Sequence, residues 1–188
     1  MSTMTTLGEL TGDYVLDTAR TRIGFVARHT VGGKVHGRFE EYEGDARLDG
    51  DEPSRSSVRL TIQAGSLRTG NRQRDEHLRG PFLRMADHPA LTFVSTGMRR
   101  LDETSFAVTG DLSIRGVTRP VTVDVELTDA ENDRVGLKGR ATINRNDWGV
   151  NWNATTRLMV SAKVTLEVDV VAIRQADGGT ARFGDGSS

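Results

Sequence analysis

Cysteine is absent from this chain of 188 residues, which excludes disulfide bridges, a cysteine nucleophile and thiolate metal ligands. Aromatic residues are few, with 2 Trp, 2 Tyr and 6 Phe, and prolines number 4. Neither sign of charge predominates, because 25 Lys and Arg face 26 Asp and Glu. A net charge of −1 argues against a general nucleic-acid binder. No apolar run approaches the roughly 18 residues of a membrane-spanning helix.

The first residues, Met1 to Asp13, carry no basic segment followed by an apolar one. No secretory signal is visible, and we therefore expect a cytoplasmic protein rather than a periplasmic or secreted one. Hydrophobic residues at 36% and charged residues at 27% are typical of a globular domain, not of a disordered chain. Glycine is abundant at 21 residues, and a core with few rings and many glycines requires an explanation.

Apolar and polar residues alternate with period two along most of the chain, which predicts strands with one buried face. In the first of them Ile23, Phe25, Ala27 and His29 share a face. The eight predicted strands span residues 22–29, 35–48, 58–64, 90–98, 106–114, 121–127, 135–143 and 164–170. Such one-sided strands with short turns favour an antiparallel sheet, which at this size forms a sandwich or a closed barrel.

One segment, residues 68–88, interrupts the strand pattern. Asn71 can cap a short helix near residues 71–79, with Asp75 and Glu76 close to its positive end. Residues 1–12 and 175–188 are predicted to be flexible, the latter because of Gly178, Gly179 and Gly184. The barrel domain is therefore predicted to span residues 13–174.

Several glycines lie inside the predicted strands, which weakens a flat sheet but suits the bends and bulges of a barrel. Gly110 and Gly139 fall on inward apolar faces together with Ala27 and Ala141. A barrel of about eight strands is either filled by side chains or holds one small ligand. We expect the small inward residues to leave room for a ligand; alternatively, they face large residues across the barrel.

The polar residues offer weaker hypotheses. His29 and His36, with Asp75 or His77, could form a metal site, but the spacing matches no metal motif and structural histidines are the favoured interpretation. We predict no metal, no cofactor and no catalytic residue. A cluster of arginines could hold an anionic head group or simply pair within a solvated helix. Its members are Arg68, Arg72, Arg74, Arg79 and Arg84.

Both tryptophans, Trp148 and Trp152, lie in one short stretch. They could line the mouth of a ligand site or plug one end of the barrel. Plugging is the commoner use of a large ring.

A series of motifs in fixed order spans residues 14–173. Its members are Tyr14-Val15-Leu16-Asp17, Val35-His36-Gly37-Arg38-Phe39, Ser66-Leu67-Arg68-Thr69-Gly70-Asn71, Arg74-Asp75-Glu76-His77-Leu78, His88-Pro89-Ala90-Leu91-Thr92-Phe93, Gly110-Asp111-Leu112-Ser113-Ile114-Arg115-Gly116 and Asn144-Arg145-Asn146-Asp147-Trp148-Gly149. Each motif alone is modest, but in this order the chain resembles the YceI-like, polyisoprenoid-binding proteins.

The resemblance implies an all-β fold, an eight-stranded antiparallel lipocalin-like barrel with an elongated apolar pore. It also implies binding, storage or transport of a long-chain isoprenoid or similar amphiphilic lipid in that pore. The residues expected to contact the ligand are Phe25, Ala27, His29, Phe39, Leu91, Phe93, Ile114, Ile143 and Trp148. The polar end of the ligand is expected near His29 or the segment 68–77.

Two alternatives remain open. The barrel could be an enzyme that acts on a small apolar substrate with His29 or the pair Asp75 and His77. It could also be a structural barrel with a filled interior. We expect no nucleic-acid partner and no transmembrane segment, and a barrel edge or apolar mouth could support a homodimer.

Overall fold

The computed structural model describes residues 7–29, 33–131, 133–150 and 160–175. Within these ranges the chain forms a single antiparallel sheet of 11 strands. The strands are β1 (Gly12–Leu16), β2 (Arg22–His29), β3 (Lys34–Phe39), β4 (Tyr42–Leu48), β5 (Ser57–Gln63), β6 (Leu67–Arg68), β7 (Ala90–Arg100), β8 (Ser105–Ile114), β9 (Val117–Glu131), β10 (Arg134–Asn144) and β11 (Val160–Arg174).

The sheet closes into a ring because β1 pairs with both β4 and β11. The ring runs β1-β4-β5-β7-β8-β9-β10-β11 and then returns to β1. The remaining strands lengthen this ring: β2 follows β1 along the same edge of β11, β3 pairs with β2, and β6 pairs with β3. The predicted eight-stranded antiparallel barrel is confirmed. Three of its eight positions hold two strands each: β1 with β2, β4 with β3, and β5 with β6.

The structure differs from the prediction at the start of the barrel. The predicted strand 35–48 is two strands, β3 and β4, because the chain bends at Glu40 and Glu41. Strand β1 was not predicted, and the supposedly flexible residues 1–12 include a 3-10 helix, Leu7–Leu10. Leu10 and Tyr14 are buried, so packing against the barrel interior orders a segment whose own sequence has no strong pattern.

The predicted helical insertion is present as α1 (Arg72–His77), followed by a π-helical turn, Leu78–Phe82. The side-chain oxygen of Asn71 caps α1 by accepting a hydrogen bond from the Arg74 amide at 3.0 Å. Asp75 is buried and accepts bonds from the amide and the hydroxyl of Thr69. The guanidinium of Arg79 donates to the carbonyl of Leu67 at 2.7 Å, which ties the insertion to β6.

We call the two ends of the barrel the helix end and the hairpin end. The helix end comprises residues 64–89, the β8–β9 turn at Arg115 and Gly116, the neighbouring ends of β2 and β3, and the 3-10 turn Arg145–Trp148. The hairpin end comprises Leu7–Leu10, the loop 49–56, the turn that joins β7 to β8, and the neighbouring ends of β9 and β10. Each end holds a separate apolar cluster, with Trp148 at the helix end and Tyr14 at the hairpin end.

Helices within the described ranges are all too short or too polar to cross a bilayer.

Candidate ligand pore

The barrel interior holds a cavity of about 260 Å³ between the two apolar clusters. Its wall extends from Tyr14 and Val135 near the hairpin end to Ile114 and Val121 near the helix end. The wall is mostly aliphatic, and two long strands supply a large share of it. These residues are Val121, Val123, Val125 and Leu127 of β9 and Leu166, Val168 and Val170 of β11. We call this cavity the pore.

Much of the pore wall is apolar yet only half-buried. Val125 and Val168 face inward by the alternation of their strands, but both retain intermediate exposure. Leu60, on the opposite wall, also retains intermediate exposure. In a filled core such residues would be fully buried, because protein interiors are close-packed. The exposed area therefore belongs to a hollow interior that an apolar ligand could fill.

The pore wall reaches the loop 49–56 at Asp49, Gly50, Pro53 and Ser56. This loop is at the hairpin end, whereas the wall near the helix end consists of buried residues such as Leu112 and Ile114. The pore is therefore packed shut at the helix end, and its lining continues toward the surface at the hairpin end.

The nine predicted contact residues divide into three groups. Phe39, Leu91, Phe93 and Ile114 line the pore. Outside the pore lining, Phe25, Ala27, Ile143 and Trp148 lie toward the helix end. His29 ends strand β2, and its side chain is outside the described part of the chain. As ligand contacts, all nine stay predictions.

Trp148 closes the helix end. It is 2% exposed, and its indole Nε1 donates a hydrogen bond to the Leu112 carbonyl at 2.9 Å. The turn that carries it is capped by Asn144, which accepts from the Asn146 amide at 3.0 Å, and it ends at Gly149 with a φ of 70°. Of the two roles open to Trp148 in the sequence, the structure gives it the role of a plug. Trp152 lies outside the described residues.

The inward glycines do not create the hollow, contrary to the prediction from sequence. A Cβ on Gly110 would lie 2.5 Å from Cζ of Phe93, and one on Gly139 would lie 2.6 Å from a methyl of Val168. Gly37 similarly makes room for the ring of Phe25. Neighbouring side chains already occupy the space that these glycines leave, as the alternative interpretation expected. The pore instead follows from the width of an eight-stranded ring.

Tyr14 covers part of the hairpin end, where it lines the pore together with residues of the loop 49–56. It is 1% exposed, and its hydroxyl donates to the Leu10 carbonyl at 2.8 Å. The guanidinium of Arg174 donates to the same hydroxyl from Nε at 3.2 Å and lies 5.5 Å from the ring centroid. The Tyr14 ring and Leu10 both contribute to the pore wall. The segment 7–14 is therefore fastened across this end of the pore.

The polar candidates from the sequence lie away from the pore wall. Asp75 binds Thr69 in the insertion, and the ring of His77 lies 5.6 Å from that of Phe82. Across the described ranges, no three histidine, aspartate or glutamate side chains come close enough together to hold a metal ion. The insertion thus forms structural contacts with β6 and the barrel end.

Sequence reasoning missed the aliphatic residues of β9 and β11 as site residues. Their signal was present, because Val121, Val123 and Val125 alternate with polar residues along β9. Alternation identifies the inward face but does not separate its packed part from its hollow part. That distinction depends on which residues the other strands place at the same level.

Tyr42 is partly buried and packs against the apolar cluster that contains Trp148. Its hydroxyl donates to the carbonyl of Thr21, and burial raises the pKa of this phenol above its ordinary value. The neutral phenol is thus favoured in the folded state. Its contribution to stability is complete below about pH 10 and is lost as the pH rises through the raised pKa.

We therefore expect the free energy of unfolding to fall more steeply above about pH 10 in the wild type than in Tyr42→Phe. Urea denaturation at several alkaline pH values measures this difference. If the free energy of unfolding falls equally with pH in the two proteins, then Tyr42 does not cause the alkaline loss of stability.

Comparison with known proteins places this barrel in a family. Residues 14–172 match the YceI-like domain. A UPF0312 protein of Pseudomonas paraeruginosa is 33% identical over 183 residues, covering 93% of this chain and 94% of the relative. The crystal structure of a Campylobacter jejuni YCEI protein is 26% identical with a TM-score of 0.71, and it covers 94% of this chain and 100% of that chain.

Two further solved structures share the fold at lower identity. Burkholderia cenocepacia BcnA is 22% identical with a TM-score of 0.77, covering 83% of this chain and 98% of that one. A polyisoprenoid-binding domain from Saccharophagus degradans is 15% identical with a TM-score of 0.70, covering 86% and 98%. Because the family match extends over nearly the whole barrel, this chain belongs to the YceI-like domain family.

Proposed function

We propose that the pore binds the hydrocarbon tail of an isoprenoid or similar amphiphilic lipid, and that the protein stores or transports that lipid. The half-buried aliphatic wall is the observation that carries this proposal. A structural neighbour described as a polyisoprenoid-binding domain supports the choice of ligand class. The pore wall has many apolar and few polar side chains, so shape and burial would provide most of the affinity.

The energetics favour a long hydrocarbon tail. Each buried methylene-sized group contributes about 0.8 kcal/mol, so a five-carbon isoprene unit contributes about 4 kcal/mol when fully buried. The cavity of about 260 Å³ is close to the roughly 300 Å³ lower end of ligand pockets. We infer that it encloses part of a long tail, and that the remainder with the head group extends toward the loop 49–56.

Native mass spectrometry of gently purified protein, combined with solvent extraction, tests this proposal. We expect one lipid per chain, or uptake of one added polyprenol by the emptied protein. Repeated preparations without lipid and without uptake would overturn it and favour a filled structural barrel. A lipid that is released chemically altered would instead support the alternative of an enzyme. Vesicle-to-vesicle transfer of a bound lipid then separates transport from storage.

Homodimer formation and a cytoplasmic location stay predictions.

Narrowing the pore should weaken tail binding without unfolding the barrel. Val125 lines the pore and is half-buried, so a phenylalanine there would fit but occupy ligand space. We expect Val125→Phe to weaken polyprenol binding about tenfold, equivalent to excluding two methylene groups. Titration of tryptophan fluorescence or native mass spectrometry measures this loss.

Val94→Phe is the matched control, because Val94 is 42% exposed on the outer face of β7. It makes the same chemical change outside the pore and should leave binding unchanged. Equal affinity of Val125→Phe and Val94→Phe would place the ligand elsewhere.

A further inference from the structure

The charges of this nearly neutral protein are separated between the two barrel ends. At the hairpin end, the segments 49–56, 99–103 and 129–134 together hold eight acidic residues against four arginines. At the helix end, the segment 68–84 holds five arginines against two acidic residues. A net charge of −1 for the whole chain therefore conceals an acidic end and a basic end.

Several arginines of the helix end bind backbone carbonyls instead of carboxylates, so no neighbouring negative charge offsets their own. Arg74 donates to the Thr69 carbonyl at 3.0 Å, Arg119 donates to the Asp147 carbonyl at 3.3 Å, and Arg115 donates to the Gly149 carbonyl. These bonds fix the guanidinium groups in place without neutralising them.

The β2–β3 hairpin adds two basic residues that repel each other. Arg28 and Lys34 are directly opposite in the register of the two strands, and both are exposed. Like charges in this arrangement destabilise a sheet, by up to about 1 kcal/mol. Neither residue takes part in the ion pairs described at this end, which join Arg68 to Glu40, Arg72 to Glu76 and Arg79 to Asp75. An anionic surface would offset this repulsion.

The loop after the insertion combines a basic and an apolar residue at the surface. Arg84 is exposed and has a φ of 51°, a left-handed conformation that is uncommon for a side chain of this kind. The next residue, Met85, is a large apolar side chain that is 41% exposed. Basic residues beside an exposed apolar side chain suit the head-group region of a bilayer better than nucleic acid, which offers no apolar phase.

We propose that the helix end docks on the surface of an anionic lipid bilayer, with the acidic hairpin end directed away from it. Each Lys or Arg near such a surface contributes about 1 kcal/mol, and salt weakens the attraction. Docking of this kind depends on the basic end and not on the contents of the pore. It goes beyond lipid binding in the pore and can fail independently of it.

Co-sedimentation of the full chain with vesicles tests this proposal. Vesicles of phosphatidylcholine with phosphatidylglycerol are compared with vesicles of phosphatidylcholine alone, at low and high salt. We expect binding to the anionic vesicles at low salt, and its loss at high salt. Lys34→Gln with Arg84→Gln should weaken binding about 30-fold, the effect of two contacts of about 1 kcal/mol each.

Arg99→Gln with Arg100→Gln is the matched control, because it changes the net charge equally at the hairpin end, where both residues are exposed. It should bind anionic vesicles within about twofold of the wild type. Three results would overturn the proposal. The two double variants could weaken binding equally, the wild type could bind neutral vesicles as well as anionic ones, or it could prefer a short RNA to anionic vesicles. Native mass spectrometry of the same variants reports the pore separately, since neither pair lines it.

Discussion

Trp148→Ala should lower the free energy of unfolding by about 3–5 kcal/mol, the usual cost of removing a buried large ring. Trp148 is 2% exposed and packs in the apolar cluster at the helix end with Ile114, Ile143 and Leu83. Removal of the ring would leave a void there and also remove the hydrogen bond to the Leu112 carbonyl. Urea denaturation followed by circular dichroism measures the loss.

Trp148→Phe separates the ring from its hydrogen bond. It retains most of the apolar contact and loses the bond from Nε1, so we expect a loss of about 1–2 kcal/mol. Because Trp148 lies outside the pore lining, Trp148→Phe should bind polyprenol with wild-type affinity. A loss of ligand affinity in this folded variant would support the role in ligand contact that the sequence suggested. If Trp148→Ala lowers the free energy of unfolding by less than about 1 kcal/mol, then Trp148 does not act as a plug.

Tyr14→Ala should also cost about 3–5 kcal/mol and should widen the hairpin end of the pore. The Tyr14 ring is 1% exposed and packs with Leu10, Val135 and Ala172. Without it, Leu10 loses its packing partner and Arg174 loses both a hydrogen-bond acceptor and a ring to stack on. Chemical denaturation measures the stability, and binding of an environment-sensitive dye measures access to the interior.

Tyr14→Phe is the control for the hydroxyl. It keeps the ring in the pore wall but leaves Arg174 and the Leu10 carbonyl without that partner, so we expect a loss of about 1–3 kcal/mol. Dye access should remain as in the wild type. If dye access is equal in Tyr14→Ala and Tyr14→Phe, then the Tyr14 ring does not limit access to the pore.

The strand pattern made most of the architecture predictable. Alternation along β8, β9, β10 and β11 identified these long strands and their inward faces, because a half-buried strand must alternate. The helical insertion was also predictable, since Asn71 is a typical cap and the bond it accepts from Arg74 is local in sequence. In contrast, β1 and the segment 7–10 have few local signals and are ordered by distant partners such as Arg174.

The candidate site was less predictable than the fold. Of the predicted aromatic contacts, Phe39 and Phe93 line the pore, whereas Trp148 and Phe25 lie outside its lining. Large rings are obvious candidates in a sequence, but a ring packs equally well in a plug and in a ligand site. The aliphatic wall of β9 and β11 was missed because no single Val or Leu differs in sequence from an ordinary core residue.

By itself, the sequence determined most of the strands, their preference for an antiparallel sheet and the absence of disulfide and thiolate chemistry, since these depend on residue types and on local periodicity. The periodicity left both a sandwich and a closed barrel open, and the resemblance to a known family implied the barrel. The tertiary structure alone decided where the interior is hollow, which residues cover each end, and how the charges separate between the ends. Those properties depend on residues brought together from distant strands. Thus Gly110, which in the sequence indicated an empty interior, instead accommodates Phe93, and the pore lies where opposite walls of the eight-stranded ring do not meet.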